Sequence, residues 1–357
     1  MDTRILRLDY IRGVSILMVI LYHFSQNYFN YSIIEKNLLI EASIVNKSMF
    51  YTIGRFGSYG VSLFFILSGY LIHTIYYKTS LNIISFYKKR ILRIYPIYFI
   101  CLTLFFCVFN KYDNITIKDY FLHILLINNY SKEAFYSINP SFWSLSIEFQ
   151  FYFIYPLVYI ISRKYSLFVV YIISIILHTI ILSNKTLYDN TLLSIPFYLH
   201  TWLIGFIISE YRLILFRFFK KHLFFINFFL IILIINAFSD LIYTLINSTI
   251  LKTVLTDIFY ILLFYKLLVI KLNFVPIFIK NIVKKTLFFY GAISYSLYLI
   301  HQPIIPTVKS FFSNCFDNYV LNMVFESICS IITITLLAYS IHKLIELKIK
   351  KIPFTIK

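Results

Sequence analysis

Apolar runs of membrane-spanning length recur along almost the whole chain, and they constrain its fold more than any other feature. A helix needs about 20 predominantly apolar residues to cross the hydrocarbon core of a bilayer. Because 60% of the residues are hydrophobic, 13% are charged and the mean hydropathy is +0.80, the composition lies outside the range of soluble proteins. We therefore expect an all-α integral membrane protein that forms a single membrane domain over residues 1–357, with no appended soluble domain.

The runs predict a bundle of about ten transmembrane helices embedded in the lipid bilayer. The predicted spans are Val14–Phe29, Tyr59–Tyr77, Ile94–Phe109, Trp143–Ser162, Ser166–Ser183, Leu192–Ser209, Leu223–Ile246, Thr253–Ile270, Leu287–Val308 and Tyr319–His342. A shorter run, Phe121–Ile127, is typical of a re-entrant or interfacial segment. When the first span begins in the cytoplasm, most of the 33 Lys and Arg residues fall on the cytoplasmic side. This asymmetry predicts that both termini are cytoplasmic.

The net charge of +18 does not indicate a nucleic-acid partner, because the basic residues form short clusters between apolar runs. The first run lacks a signal-peptide cleavage site, so we expect it to remain as a span. The four cysteines show neither metal-ligand nor redox spacing. We expect no disulfide, no metal site and no tightly bound cofactor, and the sequence leaves the oligomeric state open.

Two ionisable residues lie on one face of the first predicted helix. Arg12 and His23 are eleven positions apart, which at 100° per residue is within about 20° of three full turns. They are separated by roughly 16 Å along the helix axis. Ionisable side chains in membrane helices are costly and usually face the protein interior or a wet cavity, so this pair predicts a functional site.

Further polar residues precede or enter the next spans. Ser68 and Gly69 fit a helix-packing role, whereas a nucleophilic Ser68 would need a base beside it. Arg90 and Arg93 are three residues apart and share a helix face. Their guanidinium groups suit either phosphate oxygens of a ligand or the anionic head groups of lipids. The residue pattern alone leaves both alternatives open.

The fourth and ninth spans also carry polar side chains. Glu148 lies one turn beyond Ser144 and too deep for an unpaired carboxylate, so it is either functional or part of a structural salt bridge. The ninth span has a polar stripe on one face that must look into the bundle, formed by Gly291, Ser294, Tyr298 and His301. His301 is either a functional group or an interhelical hydrogen-bond partner.

The predicted topology separates these residues by depth. His23, Glu148 and His301 fall in the outer half of the membrane, whereas Arg12, Arg90 and Arg93 fall at the inner face. The arrangement predicts a site reached from both sides, with an anionic ligand held by the arginines and acid–base groups beyond it.

Five stretches together resemble the membrane-bound acyltransferase-3 family, whose members decorate lipopolysaccharide, capsule and similar glycans. The matching residues are Asp9, Arg12 and His23; Phe64, Phe65, Leu67, Ser68 and Gly69; Arg90, Arg93 and Pro96; Trp143, Ser144, Leu145, Glu148, Phe151 and Tyr152; and Ser294, Tyr295, Tyr298, His301 and Pro303. The sequence departs from the pattern at Ser62 and Phe149, where acidic residues are frequent in the family.

The resemblance implies an O-acyltransferase, in particular an O-acetyltransferase of the bacterial cytoplasmic membrane. It would move acetyl groups from cytoplasmic acetyl-CoA to a sugar hydroxyl of a cell-surface polysaccharide, a lipopolysaccharide or a lipid-linked glycan. His23 would be the general base or a transient acyl carrier, and Glu148 would orient or share a proton with a histidine. The remaining site residues would bind the donor phosphates (Arg12, Arg90, Arg93) or position the substrates (Asp9, Ser68, Trp143, Ser144, Tyr298, His301).

Other classes of protein also fit the pattern. Ten spans with buried His, Arg and Glu suit a transporter or flippase of a lipid-linked glycan. A glycan polymerase is a further alternative, although no large outer loop is evident.

Overall fold

The computed structural model describes residues 3–28, 44–77, 79–109, 115–184, 194–224, 227–229, 231, 248–269, 276–313 and 315–350. These residues are mainly helical and contain no β-strand. The helices are α1 Thr3–Tyr28, α2 Ile44–Tyr76, α3 Ile83–Phe109, α4 Ile117–Ile124, α5 Phe142–Lys164, α6 Leu167–Ser183, α7 Ile195–Glu210, α8 Arg212–Lys221, α9 Thr249–Val269, α10 Ile277–Phe311, α11 Tyr319–Ile341 and α12 Leu347–Lys350, with a 3₁₀ turn at Asn128–Tyr130 and a π-helical turn at His342–Glu346.

The predicted spans coincide with helices except for Leu223–Ile246, which lies largely outside the described residues. Helices α1, α2, α3 and α10 begin well before their apolar runs, because backbone hydrogen bonding continues past the segment that hydropathy detects. Within the described part of the chain, five segments are long and apolar enough to cross a membrane: Arg7–Asn27, Tyr59–Tyr76, Ile83–Val108, Phe142–Lys164 and Leu321–Ile349. The chain is therefore a multi-pass helical membrane protein.

Small residues allow helices α2 and α7 to pack backbone against backbone. A Cβ atom at Gly69 would lie 2.2 Å from the carbonyl oxygen of Trp202, and one at Gly205 would lie 2.1 Å from that of Ile66. Such close contacts between helices are typical of membrane bundles, where van der Waals packing drives association. The prediction that Gly69 serves helix packing is confirmed, and this contact holds the neighbouring Ser68 in a fixed position.

Helix α1 packs between α2 and α10, and α5 joins this group through α2 and the segment that precedes it. Asn139, just before α5, donates from Nδ2 to the carbonyl oxygen of Leu299 on α10, at 2.7 Å. Its Oδ1 accepts hydrogen bonds from the backbone N–H and the hydroxyl of Ser141, at 3.0 and 2.7 Å. Because all three residues are buried, these bonds fix the start of α5 against the middle of α10.

The predicted interfacial run Phe121–Ile127 forms the end of α4 and the turn after it. Helix α4 begins with a capping box, in which Thr116 and Asp119 satisfy each other's backbone N–H groups. Its eight residues are too few to cross a bilayer.

Candidate active site

A cavity of about 310 Å³ lies where α1, α2, α3, α5, α10 and the π-helical turn meet. Its charged lining contains five residues that the sequence predicts for the site: Asp9, Arg12, Arg90, Arg93 and Glu148. Its neutral lining contains three more, namely Ser68, Ser144 and Tyr298. The helices that carry these separated motifs therefore surround one space. Ser294 and Gly291 also line it, as the predicted polar stripe of α10 requires.

The arginines give one part of the cavity a concentrated positive charge. Arg12 donates from Nη1 to Oδ1 of Asp9, one helical turn earlier, at 2.5 Å. Arg90 is buried, and its guanidinium carbon lies 5.7 and 5.5 Å from the ring centroids of Phe86 and Tyr152. Its Nε is buried without a hydrogen-bond partner among the described residues. Arg90 and Arg93 both line the cavity, but Arg93 is an exposed residue whereas Arg90 is buried. The burial of Arg90 favours a ligand over lipid head groups as its partner.

Glu148 is part of a short hydrogen-bonded chain between α2 and α5. The hydroxyl of Tyr152 donates to Oε1 of Glu148 at 2.5 Å, and Ser68 Oγ lies 3.1 Å from the same hydroxyl. Because a phenol has only one proton, Ser68 must be the donor in the second bond. In the described part of the chain, the carboxylate is thus held by a tyrosine on the next turn.

Tyr298 connects α10 to the start of α5. Its hydroxyl oxygen lies 2.5 Å from Ser144 Oγ and 3.1 Å from the carbonyl oxygen of Ser141. The aromatic ring of Tyr298 also lies 5.5 Å from the imidazole of His301, measured between ring centroids. Tyr298 therefore separates the cavity, which it lines, from the histidine behind it.

The two predicted histidines are neighbours, although neither lines the cavity. The ring centroids of His23 and His301 are 5.0 Å apart. His301 Nδ1 lies 2.8 Å from the carbonyl oxygen of Tyr298, and His23 Nδ1 lies 3.2 Å from Oε1 of Gln26. Because both partners are acceptors, Nδ1 carries the hydrogen in each ring and Nε2 is left as the basic nitrogen. The Nε2 atom of His301 is buried and has no hydrogen-bond partner among the described residues.

Trp143 lies outside the cavity lining. Its ring packs between those of Phe135 and Tyr198, at centroid distances of 6.4 and 5.7 Å. A role of Trp143 in positioning a substrate stays a prediction, and its contacts are those of an aromatic residue that anchors the start of α5.

A second acid–base pair lines the cavity, and the sequence reasoning missed it. His342 Nδ1 lies 2.7 Å from Oε2 of Glu346 in the π-helical turn, and Ser296 on α10 donates to the same oxygen at 3.1 Å. The only signal in the sequence is the four-residue spacing of a histidine and a glutamate at the end of the last apolar run. That position suggested the end of a span and nothing more.

The fold and the site define a multi-pass helical membrane protein with a cation-rich, acid–base cavity enclosed by its helices. The chain belongs to the acyltransferase-3 family, because the family model described as an acyltransferase domain matches residues 5–343. The resemblance inferred from the five motifs is thereby confirmed.

Similar proteins include O-acetyltransferase OatA of Staphylococcus aureus, which is 30% identical over 332 residues that cover 83% of this chain and 53% of OatA. A putative acetyltransferase, ORF330 of Acidianus two-tailed virus, is 32% identical over 172 residues, or 47% of this chain and 46% of the viral protein. The chain spans about half the length of these relatives. No solved structure matches it.

Proposed function

We propose that the protein is an O-acetyltransferase that moves an acetyl group from cytoplasmic acetyl-CoA to a sugar hydroxyl. The acceptor is a cell-surface polysaccharide, a lipopolysaccharide or a lipid-linked glycan. Membership of the acyltransferase-3 family and similarity to a protein named O-acetyltransferase support the reaction class. The observation that carries the proposal is a cavity lined both by three arginines and by hydroxyl and carboxylate groups, with a histidine pair next to Tyr298.

The arginines account for binding of the donor. Acetyl-CoA carries phosphate groups, and guanidinium groups bind phosphate oxygens in a planar, two-point geometry. Arg12, Arg90 and Arg93 line the same cavity from α1 and α3. We assign the donor phosphates to these three residues and the acetyl end of the donor to the region between them and Tyr298.

The histidines account for activation of the acceptor. In the transfer, the sugar oxygen forms a bond to the acetyl carbon while the carbon–sulfur bond of the thioester breaks. The hydroxyl proton must go to a base, and Nε2 of His23 is assigned that role, with His301 packed against it. Because neither histidine lines the cavity, this assignment requires the acceptor hydroxyl to bind past Tyr298, on the side of the histidine pair. Glu148, Tyr152 and Ser68 form the proton-sharing chain beside the reacting groups. Asp9 holds Arg12, and Tyr298 and Ser144 position the acceptor.

We also propose that about ten helices cross the cytoplasmic membrane of a bacterium and that both termini are cytoplasmic. The clustering of basic residues supports this orientation. A protease-sensitive tag at the C-terminus should stay intact when whole cells are treated with protease and should be cleaved in inverted membrane vesicles. Cleavage in intact cells would contradict the topology.

The activity can be tested by NMR detection of O-acetyl esters on glycan from cells with and without the gene. We expect the esters to be lost in the deletion strain and restored by the wild-type gene, but not by H23A or R12A variants that are inserted at wild-type levels. Full restoration of the esters by H23A would contradict the catalytic role of His23.

The same experiment separates the enzyme from a transporter or flippase. Loss of O-acetyl esters with unchanged glycan at the cell surface supports the transferase. Loss of the surface glycan itself, with esters still present on the intracellular glycan, would show that the protein is a transporter.

A further inference from the structure

The π-helical turn after α11 presents a histidine–glutamate pair to the central cavity. His342 and Glu346 are both buried, at 8% and 6% exposure, and both line the cavity. The distance from His342 Nδ1 to Glu346 Oε2 is 2.7 Å. The turn that carries the pair is π-helical and therefore wider than an ordinary α-helical turn. π-Helical turns are rare and are frequent at functional sites.

Glu346 orients the imidazole and leaves one ring nitrogen available. Because a carboxylate oxygen accepts, Nδ1 of His342 carries a hydrogen and Nε2 is the nitrogen that Glu346 does not engage. Ser296 donates to the same Oε2 atom, so the carboxylate is fixed from a second helix. The negative charge of Glu346 offers a counter-charge when the imidazole holds a second proton, as the aspartate of a catalytic triad does.

The position of the pair differs from that of the histidine pair. Ser296, which contacts Glu346, precedes His301 by five residues on α10, or roughly 8 Å along the helix axis. In the opposite direction along α10, Gly291 contacts Asp9, the residue that holds Arg12. Along α10, the contact with Glu346 therefore lies between the contact with Asp9 and the level of His301, and Glu346 is close enough to Arg12 for their charges to interact.

We propose that His342 is a second acid–base residue of the site, which protonates the thiolate that leaves the acyl donor. His342 has this role only if the chain carries out the acyl transfer proposed above. A donor whose phosphates bind the arginines must place its thioester further into the cavity, on the side of the acceptor. His342 lines the same cavity as the three arginines and Tyr298, and the proposal places the sulfur of the bound thioester beside it.

The proton balance of the step is complete. As the acceptor oxygen bonds to the acyl carbon, the carbon–sulfur bond breaks and its electron pair stays on sulfur. Nε2–H of the protonated His342 gives its proton to this thiolate, while the acceptor hydroxyl gives its proton to His23. His342 then recovers a proton from water on the donor side, and His23 releases one on the acceptor side.

The test compares two donors with the purified full-length protein in lipid nanodiscs. The acceptor is de-O-acetylated glycan from a deletion strain, and the donors are acetyl-CoA and S-(4-nitrophenyl) thioacetate, whose leaving thiolate is a much weaker base. With acetyl-CoA, we expect H342Q to lower kcat by about 10²-fold or more. With the nitrophenyl donor we expect a loss smaller than about tenfold, because that thiolate leaves without a proton.

A matched control is available elsewhere in the bundle. His73 Nε2 lies 3.1 Å from Glu210 Oε2, so the two residues form a histidine–glutamate pair in which the histidine is buried and the glutamate half-buried, and neither residue lines the cavity. We expect H73Q to leave the ratio of the two rates unchanged. As a positioning residue, Glu346 should affect kcat more than KM, and E346D should recover more acetyl-CoA activity than E346Q.

Each result decides the question. Equal losses of H342Q with both donors would show a structural role, and wild-type activity with acetyl-CoA would show no role in the step. If the wild type does not use the phosphate-free donor, the pH profile of kcat with acetyl-CoA decides. H342Q should then lose the fall in kcat at high pH that the need for a protonated His342 imposes, and an unchanged profile would contradict the proposal. If the wild-type protein itself transfers acetyl from neither donor, the proposed function fails, which is distinct from failure of His342 alone.

Discussion

Gly291 on α10 packs directly against the backbone of Asp9 on α1, so closely that a Cβ atom at Gly291 would lie 2.0 Å from the Asp9 carbonyl oxygen. The contact is reciprocal, because a Cβ atom at Gly13 would lie 2.2 Å from the carbonyl oxygen of Leu287. Two glycines thus bring α1 and α10 together at the level where Asp9 binds Arg12. The packing of α1 against α10 therefore occurs at the same level as the ion pair of Asp9 with Arg12.

Replacing Gly291 by alanine should separate α1 from α10. Because the obstructing atoms belong to the backbone, we expect G291A to destabilise the protein by about 1–3 kcal/mol and to lower acetyl transfer. Thermal unfolding of the purified protein in detergent measures the first effect. I282A, on the exposed side of α10, should change neither quantity. An unaltered melting temperature for G291A would show that the two helices can separate without cost.

The arginines of α3 allow a direct comparison with lysines on the same helix. Removing both Arg90 and Arg93 should weaken acetyl-CoA binding by about 10²- to 10⁴-fold, because charge-assisted hydrogen bonds contribute about 1.5–3 kcal/mol each. The control is the double variant K88A/K89A, which removes the same charge from exposed positions. Isothermal titration in detergent gives the affinities. Equal losses of affinity in the two double variants would indicate a general electrostatic effect and would favour lipid anchoring as the role of the arginines.

Variants of two tyrosines on α5 distinguish the contribution of the hydrogen bond to Glu148 from that of an aromatic ring. Y152F removes the donor to Glu148 and the acceptor for Ser68, so we expect a loss of about 1–3 kcal/mol in stability and lower transfer activity. Y155F is the control, because the Tyr155 hydroxyl is buried without a partner among the described residues. It should be neutral or stabilising. Unfolding curves and rates for both variants test this, and equal effects would contradict a special role of the Glu148 bond.

The helices could be predicted from the sequence because hydropathy reports directly on contact with lipid. Apolar runs identify α5 and α6 nearly to the residue, whereas α10 extends ten residues before its predicted start at Leu287. That extension mixes five apolar residues with three lysines, Asn281 and Thr286, so it does not stand out as an apolar run of spanning length. The hydrogen bond from Ser296 to Glu346 in the π-helical turn joins residues 50 positions apart, so no local pattern encodes it.

The site could be predicted only in part, for a related reason. Helical spacing gives the face and the depth of a residue, and the predicted inward face of Arg12 and Tyr298 agrees with the cavity lining. It does not give the rotation of neighbouring helices. For this reason three features of the site were not predicted. The histidine pair lies behind Tyr298, Trp143 packs against other rings, and Glu148 bonds to Tyr152. The last contact follows an i, i+4 spacing that was visible in the sequence.

The contact between His23 and His301 predicts that their contributions to catalysis are not independent. If both act on the proton of the acceptor hydroxyl, H23Q and H301Q should each lower kcat by about 10²- to 10⁴-fold, and the double variant should be little worse than either. H123Q is a stringent control, because His123 is as buried as His301. Like His301, it bonds through Nδ1 to a carbonyl oxygen, that of Asp119 at 2.8 Å, and its Nε2 has no partner among the described residues. His123 does not contact the histidine pair in the described structure, so its loss should leave kcat within a few-fold of wild type. The measurement is the rate of acetyl transfer for the three single variants and the double variant. Multiplicative losses would mean that the two histidines serve separate steps. An inactive H123Q would mean that any buried histidine is needed for folding.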